Sequence, residues 1–150
     1  MKHVHKSVLI WYSPAQMFAL VTDVVRYPEF LPWCDHARVV EATGEGMTAE
    51  VGISFSGVRQ CFTTRNVHRA DAEVGMTLVD GPFSQLEGTW RFLPLGRPGS
   101  DQQACKIEFD LRYAFSSPAL ERVVSPVFDR VANTFVDSFV RRAEDVYGAR

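Results

Sequence analysis

The chain has no basic run: no five or six consecutive Lys or Arg occur, and 16 Lys plus Arg against 18 Asp plus Glu leave a formal charge of -2. Binding to DNA by general electrostatic attraction is therefore not expected, although a few arginines could still meet a ribosomal surface. Cysteine is scarce. Cys34, Cys61 and Cys105 cannot all pair within the chain and none belongs to a CxxC, which predicts free thiols in a reducing compartment. No window approaches 18 apolar residues, and Met1 to Lys6 runs into polar alternation instead of an apolar leader core, so a cytoplasmic protein without a membrane span is expected. Repeats and low-complexity linkers are lacking too, which predicts a single domain over 1–150 that buries roughly two-thirds of its unfolded surface. G-x-S-x-G, a Walker loop and H-E-x-x-H are all missing, so no standard catalytic type is expected, and neither is a cofactor or a metal.

What the chain does hold is aromatic. Eleven Phe, three Trp and four Tyr sit within an apolar fraction of 46%. They predict a large aromatic interior. His3 to Trp11 suits a strand, without alternation clean enough to fix its buried face. Ser13-Pro14 supplies an N-cap and a first-turn proline for a short helix to about Asp23. Tyr27 to Trp33, bracketed by Pro28 and Pro32, reads as one helical turn within a loop. From Ala37 to Phe115 the pattern is strand and turn, with strand candidates at Val39-Val40, Ala49 to Phe55, Val58 to Val67, Met76 to Val79 and Gly88 to Phe92. The clearest strand follows them. Cys105, Ile107, Phe109, Leu111, Tyr113 and Phe115 share one face and Lys106, Glu108, Asp110 and Arg112 the other, over a length on the order of 40 Å. Ser117-Pro118 repeats the helix-start signature, and Leu120, Val124, Val127, Val131, Phe135, Phe139, Ala143 and Val146 recur at helical spacing. Pro126 is expected to kink that helix or split it after Val124, with Ser125 able to cap the second part. The pattern predicts an α+β fold, a curved antiparallel sheet wrapped around a long C-terminal helix.

Candidate chemistry is thin. Gly44-Glu45-Gly46-Met47-Thr48-Ala49 matches G-x-G-x-x-A in form, but a strand and not a helix follows it, so a hairpin is expected. His3 and His5 share a strand face and no third metal ligand stands at a recognisable spacing. Cys34-Asp35-His36 invites a nucleophile reading, against which stands a packed thiol beside a loop histidine. Glu29, set among Tyr27, Pro28, Phe30 and Leu31, is the carboxylate with the best claim to an unusual environment. The aromatic excess is open between ordinary core packing and a ligand pocket with a few polar anchors.

Tyr27-Pro28-Glu29-Phe30-Leu31-Pro32-Trp33-Cys34, Gly81-Pro82-Phe83 with Leu86, Gly88, Trp90 and Phe92, then Arg142-Ala143 and Val146-Tyr147-Gly148, resemble the START-like family of coenzyme Q-binding proteins and ribosome association toxins. The resemblance runs from about Ser7 to Gly148. It implies a helix-grip fold with a hydrophobic tunnel, no prosthetic group and no agreed catalytic residues. It implies two jobs: holding a ubiquinone-like isoprenoid lipid in support of respiration, with transient contact at the inner membrane, or binding the large ribosomal subunit to block subunit joining. For the lipid, an entrance is expected at Tyr27, Phe30, Leu31 and Trp33 and around Phe83 and Leu86. A sheet wall is expected from Phe55, Phe62, Trp90 and Phe109, and a helix wall from Val124, Phe128, Val131 and Phe135. For the ribosome, Arg59, Arg65, Arg69, Arg141 and Arg142 are the candidate contacts. An enzyme similar to the polyketide cyclases of the same fold would instead need a polar group facing the cavity.

Overall fold

Two serine-proline steps start the two helices. Ser13 Oγ accepts from the Gln16 backbone N–H (3.1 Å) while Gln16 Oε1 accepts from the Ser13 N–H (2.8 Å), a reciprocal capping box. Ser117 Oγ accepts from the Leu120 N–H (3.1 Å) in the same way. A computed structural model describes residues 1–55, 57–96 and 103–149. In it the order is β1 (Lys2–Ile10), α1 (Pro14–Thr22), a 3-10 turn (Val24–Glu29), β2 (Cys34–Thr43), β3 (Gly46–Phe55), β4 (Val58–Arg69), β5 (Glu73–Asp80), β6 (Phe83–Leu95), β7 (Ala104–Phe115) and α2 (Pro118–Tyr147).

The seven strands form one antiparallel sheet ordered β1-β7-β6-β5-β4-β3-β2. Register shifts in the β2/β3, β4/β5 and β6/β7 pairs add local bend to the strand twist, and the sheet curves around α2. Alternation decides its faces. On β7 Cys105, Ile107, Phe109, Leu111 and Tyr113 point inward, as their spacing predicts. β1 pairs along β7 from Lys2 opposite Tyr113 to Ile10 opposite Cys105, which turns Val4 and Ile10 in and leaves Leu9 outside.

The Gly44-Glu45 turn joins β2 to β3, so the glycine pair is a hairpin and no helix receives a phosphate there. Three strands outrun their sequence signals. β2 is exposed along nearly its whole length and offers no apolar pattern beyond Val39-Val40, while β5 begins early at Glu73 and β6 runs from Phe83 to Leu95 through polar outward positions such as Glu87.

Pro126 does not split α2, which runs unbroken over 30 residues. Pro126 and Arg122 are both exposed, so the carbonyl left without an intrahelical donor lies on the water side, where solvent serves it. Ser125 caps nothing; its hydroxyl donates to Asp129 Oδ2 (3.1 Å) and accepts from Lys2 Nζ. At its other end α2 is tied down by two phenols. Tyr147 donates to the Gln16 carbonyl (3.0 Å) and Tyr12 to that of Gly148 (2.7 Å).

Candidate functional site

The chain between α1 and β2 is wound tightly enough to form one wall of a groove. The Leu31 N–H donates to the Tyr27 carbonyl and the Cys34 N–H to that of Leu31, each at 3.0 Å, and the Ser54 N–H of β3 donates to the Trp33 carbonyl at 2.8 Å. Beneath this wall the Tyr27 hydroxyl donates to the Val21 carbonyl, and burial, helped by the nearby Cys34 and Asp23, pushes that phenol well above its ordinary range. Proline spacing therefore fixes the backbone, and the backbone presents Phe30, Leu31 and Trp33 towards α2.

Between this wall, Phe55 and α2 lies an open groove of about 630 Å³, lined on the helix side by Val127, Arg130, Val131, Thr134, Ser138, Arg141, Arg142 and Asp145. Its floor is apolar and its rim charged. Arg142 stacks over Phe30 (5.0 Å to the ring centre) and pairs with Glu29 (3.3 Å), while Arg130 stacks over Phe55 (5.5 Å). Arg130 and Arg141 meet no carboxylate at ion-pair distance among the described residues.

Inside, between sheet and helix, is a second space of only about 50 Å³, lined by Trp33, Phe62, Thr64, Met76, Leu86, Phe109, Leu111, Phe128, Val131, Ala132 and Phe135. Pockets for drug-sized ligands run to about 300–1,000 Å³, so the groove has that size and the inner space has not. The hydrophobic tunnel implied by the family resemblance is thus nearly filled here by the helix and aromatic rings. Phe135 is the chief occupant, with Trp90, Phe109, Phe139 and Trp33 at centroid distances of 5.6, 5.7, 5.1 and 5.9 Å.

Trp33 and Val131 line both spaces. The Trp33 indole N–H is buried and finds no acceptor among the described residues. An unmet donor in such surroundings costs about 1–3 kcal/mol. The other polar side chain of the inner lining is Thr64, whose hydroxyl donates to Asn66 Oδ1 (2.7 Å), and no lining residue there is titratable at neutral pH.

The residues expected at the site fall into three sets. Trp33, Phe62, Leu86, Phe109, Phe128, Val131 and Phe135 line the inner space, and Phe30, Leu31 and Phe55 join Trp33 and Val131 at the groove. Tyr27, Phe83, Trp90 and Val124 are packed behind these surfaces. Tyr27 lies edge-on to Phe139 at 5.4 Å, Phe83 stacks on Phe115 at 5.2 Å, and Trp90 and Val124 are wholly buried. Thr64, Met76, Leu111 and Ala132 complete the lining without having been singled out. Thr64 was legible through alternation with Phe62 along β4, and Ala132 through its position one turn after Phe128.

The other candidate chemistry resolves into surface pairing. His3 Nε2 and His5 Nδ1 both bond the Asp110 carboxylate, at 2.7 and 3.1 Å. Cys34 Sγ donates to the His36 carbonyl (3.3 Å), and burial pushes its thiol up to about 11. The His36 ring faces Asp35 (2.8 Å) and Glu50 (3.1 Å) instead, so thiol and imidazole form no nucleophilic pair. Glu29 is half exposed and ion-paired at the groove rim with Arg26 and Arg142, each at 3.3 Å. Of the five arginines, Arg59, Arg65 and Arg69 stand at outward positions of β4 and Arg141 and Arg142 on α2, so they form no single patch.

Residues 10–140 match the family described as polyketide cyclase / dehydrase and lipid transport. The chain is 42% identical over 146 residues to a protein of Pseudomonas aeruginosa named ribosome association toxin RatA, covering 97% of this chain and 98% of that one. It is 30% identical to the mitochondrial coenzyme Q-binding protein COQ10 homolog B of Xenopus laevis, over 95% of this chain and 58% of the relative. The solution structure of an 18 kDa protein from Caulobacter crescentus superposes with a TM-score of 0.74 at 33% identity, covering 99% and 100% of the two chains.

Proposed function

The chain belongs to the polyketide cyclase/dehydrase and lipid transport family, and from that membership and its groove we propose that it binds, without chemical conversion, an apolar lipid of the isoprenoid-quinone type. One observation carries the reading: a groove of about 630 Å³ with an apolar floor and a charged rim shares Trp33 and Val131 with an inner cavity whose lining holds no titratable side chain. A catalyst of the cyclase kind needs a positioned acid or base, and the inner space presents no polar surface. For a tail, about 200 Å² of apolar surface taken from water contributes roughly 5 kcal/mol at 25 cal/mol per Å². The rim arginines suit the anionic surface of a membrane from the cytoplasmic side, where such a lipid is collected and returned. The lipid-holding role supports respiration by carrying a quinone with its apolar tail shielded from water. Native mass spectrometry of the purified protein, followed by organic extraction and by loading with decylubiquinone, tests this. A bound lipid or a one-to-one quinone adduct is expected; no adduct by either route sinks the reading.

The relatives' names support a second reading, association with the ribosome, because identity to the P. aeruginosa protein is 42% against 30% for the coenzyme Q-binding relative, and the family resemblance puts that contact on the large subunit. It needs only a surface, for which α2 with Arg130 and Arg141 is available. Sedimentation with isolated subunits at rising salt decides it: co-sedimentation that weakens with salt supports it, and none at low salt removes it.

A further inference from the structure

We infer that the hollow between α1 and the end of α2 is a second binding subsite, which takes the far end of the ligand's isoprenoid tail, so that the protein selects long-tailed lipids over short-tailed ones. The inference rests on the lipid-binding reading and adds what that reading leaves open, where the tail runs and how much of it is held.

The hollow measures about 320 Å³, and its apolar lining comes from three elements: Ala19 and Leu20 of α1, Phe30 of the wall, and Val146 and Tyr147 of α2. It adjoins the groove. Phe30 and Arg142 line both, and the guanidinium stands 5.0 Å from the ring centre, so this stacked pair is the sill between the two spaces. Ala19 and Val146 are exposed, so the hollow opens outward and a tail crossing the sill reaches it without unpacking the core. The inner space, at about 50 Å³, has no room for that tail.

Charge decides which end of the ligand goes there. The charged residues of the hollow, Asp23, Arg26 and Arg142, belong to one chain of ion pairs, Asp23 to Arg26 (3.1 Å), Arg26 to Glu29 (3.3 Å) and Glu29 to Arg142 (3.3 Å), in which two cations and two carboxylates cancel. The Tyr147 proton is committed to the Gln16 carbonyl at 3.0 Å. A polar head therefore meets no unpaired cation in the hollow, whereas Arg130 and Arg141 stand along the groove without a carboxylate partner among the described residues. What the hollow leaves uncovered is hydrocarbon, with Val146 49% exposed. Covering such surface stabilises a complex by about 25 cal/mol per Å² and asks nothing of the ligand but an apolar end. The head is placed in the groove and the tail's end over α1.

The test varies tail length, with ubiquinones of one and of four isoprene units titrated calorimetrically into the full chain and into Ala19→Phe. Ala19 lines the hollow and not the groove, so the added ring fills the subsite alone. The variant is expected to bind the four-unit quinone roughly ten-fold more weakly and the one-unit quinone unchanged. Equal weakening of both, or of neither, overturns the inference, leaves the hollow to an apolar side chain of a protein partner, and lets the lipid-binding reading stand. If the unaltered protein binds neither quinone, both fall together. The unaltered protein also gives a readout that needs no variant: a four-unit quinone with a photoreactive diazirine at the tail's end is expected to label residues 19–26 or 142–147. Labelling found only elsewhere overturns the assignment.

Discussion

Gly46 shows how much one missing side chain decides in this fold. A Cβ built there would stand 2.0 Å from the Asn66 backbone oxygen, an atom fixed by the β3/β4 ladder, whereas Gly44 two residues earlier has nothing within 4 Å. Gly46→Ala is therefore expected to lower stability by about 2 kcal/mol or more and Gly44→Ala by less than about 0.5 kcal/mol, read from urea midpoints. Equal effects would show that β3 can move aside. That these glycines make a hairpin was legible from the strand signals around them; that one of the pair is indispensable was not, because it depends on Asn66, a residue brought close only by the fold. The same limit governed Trp33. Its type and place in the Tyr27 to Cys34 motif were readable, but an unmet hydrogen bond is a statement about every neighbour at once.

At the scale of elements, α2 was legible as a helix because its apolar residues keep one face over 30 positions. Its continuity through Pro126 was not, since no local pattern says which carbonyl will face water. Interior proline is roughly 3 kcal/mol worse than alanine in a helix, and Pro126 sits on the solvent face with no packing role. Pro126→Ala is expected to raise stability by about 1–3 kcal/mol in thermal unfolding; a loss would mean the proline shapes a bend that packing requires. The same helix is clamped to β1 and β7 through Asp129, which pairs with Lys2 (2.5 Å) and accepts from Tyr113 (2.5 Å) and Ser125 (3.1 Å). Partial burial works to raise the Asp129 carboxyl, but the hydrogen bonds from Lys2, Tyr113 and Ser125 and the Lys2 charge outweigh it and hold it below the ordinary 3.8. A carboxylate depressed in the folded state stabilises fully above its unfolded value and loses that contribution as pH falls through the folded one. The stability gap between the natural chain and Asp129→Asn is therefore expected to be constant at neutral pH and to close below about pH 4, in urea unfolding repeated across pH. A gap independent of pH would mean that shape alone, not charge, makes the clamp.

Over the whole molecule, the α+β class, the antiparallel order and the helix held in the sheet follow from periodicity, yet the volume left between the layers does not. Volume is the small residue of many rotamers, and three of the ten rings expected at the site, Tyr27, Phe83 and Trp90, are packed behind the lining while the others crowd what space is left. Phe135 is where this matters most. It faces the inner space of about 50 Å³ and is packed at 5.1 Å from Phe139 and 5.9 Å from Trp33. Any part of a ligand that enters the inner space must turn this ring away, and the work of displacing it is subtracted from the binding energy. Phe135→Ala removes that work while leaving a void in the free protein. Stability is expected to fall by about 2–4 kcal/mol in urea unfolding, at or just below the usual range for a buried Phe because the ring is not fully enclosed. Decylubiquinone affinity, by calorimetric titration, is expected to rise several-fold. General damage would weaken both quantities, so only opposite signs identify the ring as the tenant of ligand space. Affinity falling together with stability would make Phe135 a contact that holds the ligand, and the inner cavity would then be no part of the binding site's capacity.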